Sequence, residues 1–306
     1  MAQSNPIYLV DAPIYIFRAY FSLPENWHSP EGYPLNAVYG YTSFLLDLVQ
    51  ELTKGGAIDC AAAFDESLGS CYRNQLYADY KSSRELPDEA LAFQLDTCRR
   101  LTEILEIPCF SGNRFEADDY IASLSRMARE RQQPSCIVTR DKDLGQLLLT
   151  EQDVWWDYAA GQRLNRVDFE GKFGVKPEQF ADYLGLVGDA IDDIPGVPAI
   201  GAKTAARLLQ AYPSLESLSY NFDQLANLGI RGAARIASNL EEHWPQALLS
   251  RSLAQLADRI PDLQLPASYQ LRASSLEKLL AQIQEIGISG GLVARCRNML
   301  QRLPVS

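Results

Sequence analysis

The sequence predicts an α/β fold on a parallel sheet, from two observations. Short continuous apolar runs alternate with stretches of helical periodicity, and acids stand just past the ends of those runs. Residues 7–10 (IYLV) end at Asp11, and residues 60–64 (CAAAF) end at Asp65. Residues 136–139 (CIVT) are followed by Asp141 and Asp143. Such short apolar runs read as buried strands. Between them, 36–53, 88–106 and 117–130 carry apolar positions at helical spacing. Strands separated by helices give a parallel sheet covered on both faces, with ligands beyond its carboxyl end. The sheet therefore gathers Asp11, Asp65 and Asp141 along one edge.

The helix at 117–130 opens with FEADDY. Acids in a first turn complement the helix dipole, which accounts for one or two of them. It does not account for Glu116, Asp118 and Asp119 together beside three acid-bearing strand ends. With Asp143, Asp189 and Asp192, nine carboxylates are clustered. Such a cluster repels itself and loses hydration, so a cation must compensate it. Hard divalent ions, Mg²⁺ or Mn²⁺, suit oxygen ligands.

Composition narrows the classes. With 306 residues, 47% hydrophobic and 22% charged, the chain is expected to be globular, with one large domain and one small. A net charge of −11 argues against a protein that coats nucleic acid without metal. None of the six Cys lies in a C-x-x-C pair, so buried reduced thiols in a cytoplasmic protein are expected. A signal peptide is not expected, since Asp11 interrupts the first apolar stretch. No apolar run reaches 18 residues, so no membrane partner is expected. His28 and His243 flank Trp27 and Trp244 and read as surface or packing residues, leaving no support for Ser-His-Asp or Cys catalysis.

Two further segments carry chemistry. Residues 66–87 interleave Arg73, Lys81 and Arg84 with Tyr72, Tyr77 and Tyr80. Straight after Asp65, this reads as a phosphate clamp with stacking rings. Near 175 the pattern becomes helix, loop, tight hairpin, helix. Asp189 and Asp192 lie three apart, and Gly196 and Gly201 shape the hairpin. Gly201, Lys203 and Thr204 open a helix whose backbone N–H groups suit a phosphate oxygen. Arg231 and Arg235, in a second hairpin-like stretch within the helical pattern 222–256, are within reach of a backbone phosphate or form a solvated face. Beyond 260 the sequence reads as a linker, then helices at 275–285 and 291–302.

Taken together, LVDAPIYIFRAY, AAFDE, YADYKSSR, FEADDYIA, TRDKDLGQL and GLVGDAIDDIPGVPAIGAKTA resemble, in order and spacing, the 5′-3′ exonuclease and flap endonuclease family. The resemblance covers roughly residues 5–260. It implies a PIN-like nuclease domain (1–174) with a helical arch at about 66–90. A helix-hairpin-helix-type DNA-binding region (175–260) and a C-terminal helical extension (261–306) would follow. It implies two or three Mg²⁺ or Mn²⁺ ions. Asp11, Asp65, Glu116, Asp118 and Asp119 would hold the first, and Asp141, Asp143, Asp189 and Asp192 the second. Tyr80 would stack on the unpaired terminal base, and Lys81 and Arg84 would contact the scissile phosphate. Arg18 matches the basic residue after the first motif. The carbonyls of Leu186, Val187, Pro195, Val197 and Ile200 fall where relatives hold K⁺. Arg73, Gly201, Lys203, Thr204, Arg231 and Arg235 would bind DNA. The substrate would be DNA with a free 5′ end or flap, cut by a monomer in replication and repair.

Two positions depart from the pattern. Ala12 stands where Gly usually follows the first Asp, and Asp193 stands where D-N-I-P-G-V has Asn. Neither removes an expected ligand. With no polymerase region after the nuclease motifs, a free-standing nuclease is expected. The alternative is a catalytically weak or inactive DNA-binding module of nuclease descent. A phosphatase with an Asp nucleophile would need D-x-D at Asp11, where the chain reads Asp11-Ala12-Pro13. A PIN-type ribonuclease is disfavoured by the arch motif and the hairpin.

Overall fold

A computed structural model describes residues 5–66 and 71–303. In chain order the strands are β1 (Ile7–Asp11), β2 (Asp59–Ala63), β3 (Cys109–Phe110), β4 (Ser135–Val138), β5 (Val154–Asp157) and β6 (Gln162–Leu164). They form one sheet, ordered β3-β2-β1-β4-β5-β6, parallel except for the antiparallel β5–β6 pair. The three expected strands occupy its centre. β3, β5 and β6 were not foreseen.

The helices are α1 (Ala12–Ser22), α2 (Asn36–Leu52), α3 (Tyr72–Leu76), α4 (Glu89–Ile104), α5 (Ala117–Glu130), α6 (Arg166–Phe173) and α7 (Phe180–Val187). There follow α8 (Ala202–Ala211), α9 (Leu215–Ser219), α10 (Ala233–Glu242), α11 (Trp244–Ala254), α12 (Ala273–Glu285) and α13 (Gly291–Arg302). Among the described residues, no helix is long and apolar enough to cross a membrane.

Alternation along the strands explains the layering, since successive side chains point to opposite faces. Val10, Cys60, Ala62, Cys136 and Val138 join a core with α1, α2, α4, α12 and α13. Ile7, Leu9, Ala61, Ala63 and Ile137 face Ile121, Ala122 and Leu124 of α5 on the other side. The C-terminal segment thus belongs to the main core. An isolated bridge, Tyr269 with Ile58, fastens it beside β2. A second core unites α6–α11 and includes Tyr80 and Cys71 from the segment after Asp65.

Of the expected arch (66–90), residues 67–70 lie outside the described residues. The described part holds the five-residue α3, a turn at 78–84 and the start of α4. The hairpin between α7 and α8 is tight. Gly188 has φ +76°, and a Cβ on Gly196 would lie 2.1 Å from the Val187 oxygen, so only glycine fits there.

Candidate active site

Each acid is placed by a backbone reason. Asp11 ends β1 and precedes α1, where its Oδ2 accepts from the Thr139 hydroxyl at 2.6 Å. Asp65 follows β2 and accepts from the Ala117 N–H at 2.7 Å, the first residue of α5. Glu116 is the N-cap of α5, and Asp118 and Asp119 lie in its first turn. Asp141 follows β4, and its Oδ1 accepts from the Asp143 N–H at 2.8 Å. Asp189 sits in the hairpin after α7, in a two-way backbone bridge with Ile194.

Asp11, Asp65, Asp118 and Asp141 form the unpaired heart of this edge. Among the described residues, none of the four has an ion-pair partner. Burial pushes Asp11 up to about 7, and repulsion from Asp141 and Asp65 adds to it. Burial likewise pushes Asp118 well above the carboxylate range, with Asp141 and Asp11 contributing. Burial also raises Asp65, against the pull of Lys81. These acids are close enough to feel each other. Yet among the described residues no three acidic, His or Cys side chains converge tightly enough to hold an ion as they stand. Oxygen donors without compensating charge fit a hard divalent cation. Gathering them around one requires their side chains to move.

The other five acids carry basic partners, which sequence reasoning did not foresee. Asp119 is fully buried. Arg73 donates to both its oxygens at 2.7 and 2.8 Å, and the Glu116 and Ala257 N–H groups donate to it as well. This corrects its expected place among the metal ligands. Glu116 accepts from Arg73 (2.7 Å), Lys81 (2.5 Å) and the Tyr80 hydroxyl (3.0 Å). Burial alone would raise its carboxyl, but Lys81 and Arg73 hold it below the usual range. Arg84 pairs with Asp192, and Lys81 Nζ lies 3.7 Å from it. Lys142 Nζ bridges Asp189 (2.6 Å) and Asp143 (3.2 Å). The signal for Lys142 was present, a cation between two acids in TRDKD. For Arg73 no sequence signal separates a buried guanidinium from an exposed one.

Two expected DNA contacts are corrected by burial. Arg73 is 2% exposed and cannot touch a phosphate. Tyr80 is 4% exposed with its hydroxyl on Glu116, so its ring is not free to stack on a base. Arg18, Lys203, Arg231 and Arg235 are exposed, Gly201 caps the start of α8, and Thr204 is half-buried. Of the expected K⁺ carbonyls, Leu186 accepts from the Val197 N–H, Pro195 from the Ser250 hydroxyl, and Val197 from the Ile200 N–H. Each retains a second lone pair.

A cleft of about 530 Å³ opens beside the acids. Phe17, Tyr20, Phe21, Leu86 and Leu91 line it with Asp65, Lys81, Arg84 and Glu116. Phe21 is 78% exposed, an apolar ring left in water at its mouth.

Comparison with known proteins shows the family and the fold. A model of the 5′-3′ exonuclease N-terminal resolvase-like domain matches residues 6–174. A model of the 5′-3′ exonuclease C-terminal SAM fold matches residues 175–278. The chain is 34% identical to DNA polymerase I of Rhizobium leguminosarum over 272 residues, 87% of the chain but 26% of that protein. It is 31% identical to a 5′-3′ exonuclease of Buchnera aphidicola over 259 residues, 85% of the chain and 88% of that protein. It thus spans about a quarter of the polymerase relatives. Among solved structures, T5 5′-exonuclease with bound zinc superposes with TM-score 0.63 at 18% identity, over 97% of this chain and 98% of that one. The catalytic core of Rad2 in complex with DNA superposes with TM-score 0.64 at 13% identity, over 99% and 94%. These two likenesses speak to the fold: a PIN-like sheet followed by a helical region.

Proposed function

This chain belongs to the 5′-3′ exonuclease family, and from that premise we propose that it is a structure-specific 5′-3′ exonuclease and 5′-flap endonuclease hydrolysing DNA phosphodiesters. The observation that carries this reading is the group Asp11, Asp65, Asp118 and Asp141. They are four carboxylates without an ion-pair partner among the described residues, at the carboxyl edge of the sheet and beside a cleft lined by Lys81 and Arg84.

In this reading these four acids, with Glu116, would hold two or three Mg²⁺ or Mn²⁺ ions, with Asp143, Asp189 and Asp192 completing the second site. Divalent ions bound there supply Lewis acidity, which favours hydroxide over water and neutralises charge on the leaving oxygen. The chain's own groups do the rest. Thr139 fixes the Asp11 carboxylate by its hydroxyl, and the Ala117 N–H fixes Asp65. Lys81 and Arg84 bring positive charge to the phosphate, and the apolar cleft wall keeps bulk water away, which strengthens those charges. For Lys81 to reach a phosphate it must exchange Glu116 for the substrate, so substrate entry and release of Glu116 are coupled.

Gly201, Lys203, Thr204, Arg231 and Arg235 grip the duplex behind the junction without reading bases. K⁺ at the hairpin carbonyls would steady that grip. The arch, closing at its base on Glu116, would admit only a free 5′ strand to the cleft. The protein would act as a monomer in the cytoplasm.

The test is a 5′-flap duplex incubated with Mg²⁺, with and without EDTA, and products sized on a gel. Cleavage at the junction, abolished by EDTA, is expected. A second reading, a DNA-binding module of nuclease descent, is favoured by the basic partners on Asp143, Asp189 and Asp192. Tight flap binding with no product would select it. Lys81→Ala is expected to lower the single-turnover rate by about 10²-fold, the loss of one transition-state donor, while duplex affinity changes little. An unchanged rate would remove Lys81 from the reaction.

A further inference from the structure

We infer that Asp193 is a positioning residue: its carboxylate docks the Lys81-to-Arg84 turn onto the hairpin that carries Asp189 and Asp192. Its catalytic use rests on the nuclease reading above.

Besides the approach of Lys81 Nζ to the Asp192 carboxylate at 3.7 Å, three attachments join the two loops. The Ser83 N–H donates to Asp193 Oδ2 at 2.8 Å. The Lys81 N–H donates to the Asp192 carbonyl at 3.0 Å. Arg84 pairs with the Asp192 carboxylate. The hairpin is the firmer partner. The Asp189 N–H donates to the Ile194 oxygen at 2.9 Å, the Ile194 N–H donates back at 2.8 Å, and the Val197 N–H donates to the Leu186 oxygen at 2.8 Å. The turn is the weaker partner. Lys81 itself has φ +54°, a conformation that lysine holds only when its surroundings impose it. Asp193 shares that φ, where Asp and Asn are among the better tolerated side chains.

The consequence falls on Lys81. With its backbone fixed at both ends of the turn, its Nζ is delivered to Glu116 at 2.5 Å, on the wall of the cleft beside Asp65. The docking therefore organises a phosphate-binding amine before substrate arrives, which spares the reaction the cost of ordering it. The residue at 193 needs an acceptor oxygen and tolerance of positive φ. It does not need charge. Asn, the residue that the family pattern carries there, meets both needs, and Ala lacks the acceptor oxygen.

The experiment compares Asp193→Ala and Asp193→Asn by two readouts. Hydrogen exchange of the Ser83 amide, in protein free of metal and DNA, is expected to speed up about 10-fold in Asp193→Ala and to stay near wild type in Asp193→Asn. Single-turnover flap cleavage is expected to slow about 10-fold in Asp193→Ala, with duplex affinity within about 2-fold, because small misplacements of a reacting group are costly. Asp193→Asn is expected to cleave within about 2-fold of wild type. Unchanged exchange in Asp193→Ala overturns the docking, and faster cleavage overturns the positioning role, since the contact would then be a brake. Faster exchange in a protein whose wild type cleaves nothing supports the dock and sinks the nuclease reading instead.

Discussion

Arg73→Met is expected to destabilise the protein by about 3–5 kcal/mol, the cost of stranding buried charge. A guanidinium has five N–H donors, and five hydrogen bonds use them. Nε donates to the Leu253 oxygen at 2.8 Å. Nη1 donates to Glu116 and Asp119 at 2.7 and 2.8 Å, and Nη2 to Asp119 and the Gln255 oxygen at 2.7 and 3.2 Å. Methionine fills much of the volume but leaves Asp119, at 0% exposure, facing no cation. It also removes the guanidinium bridge from the Leu253 and Gln255 carbonyls to the start of α5, leaving the Ala257 N–H on Asp119 as a remaining tie. Lysine keeps the charge yet presents three donors from one point, so it cannot span the four acceptor groups. Urea unfolding near neutral pH should show a lower midpoint with an unchanged slope. In an Asp119→Asn background the same replacement should cost at least about 1 kcal/mol less, since the two groups act as one unit. A wild-type midpoint in Arg73→Met would show that the guanidinium is not the brace between these elements.

What could be read from the sequence, and what could not, divides along physical lines. The three central strands were legible because each is a short apolar run closed by an acid. α5 was legible because its acids, apolar period and length agree, and it spans Ala117–Glu130 as expected. β3 has two residues, too few for any periodicity. β5 and β6 pair around a turn at Gly161, where φ is +64°, and their two tryptophans lie in a run too short to separate strand from loop. α1 is apolar on most faces, and Pro13 in its first turn resembles a break rather than a start. The edge that gathers the acids followed from strand order alone. Which acids remain unpaired did not, because that depends on where distant basic side chains come to rest. Arg73 reaches acids 43 and 46 positions away, and Lys142 reaches Asp189 across 47. The alternation of Arg and Lys with Tyr looks the same in sequence whether the segment grips a phosphate or braces a core. In this protein Arg73 and Tyr80 turn inward and brace the core, while Arg84 is half-exposed at the cleft.

Asp118→Asn is expected to make the metal-free protein more stable while removing its activity. Asp11 and Asp118 are acids whose carboxyls the fold pushes up, first by burial and then by neighbouring acids, Asp11 to about 7. Such a group stabilises the fold at pH below its unfolded value, about 3.9, and that stability is lost as pH rises through the folded value. Metal-free wild-type protein should therefore lose stability between about pH 5 and pH 8. Glu116 runs the opposite way: held low by Lys81 and Arg73 against burial, it contributes above its unfolded value and is lost only in acid. Asparagine at 118 keeps the shape and removes one charge from the repelling set. It should raise metal-free stability at pH 8 by about 1–2 kcal/mol and flatten the slope between pH 5 and 8. The same charge is what the four-acid group offers a divalent ion. Mg²⁺ should raise the melting temperature of the wild type and move that of Asp118→Asn far less, while flap cleavage falls by about 10³-fold or more. A variant less stable than wild type in EDTA would mean that Asp118 is held by favourable contacts. An unimpaired response to Mg²⁺ would mean that the ions sit elsewhere. Either result would take away the repulsion on which the assignment of this edge depends, because acids that destabilise one another in the metal-free fold are the ones an ion relieves most.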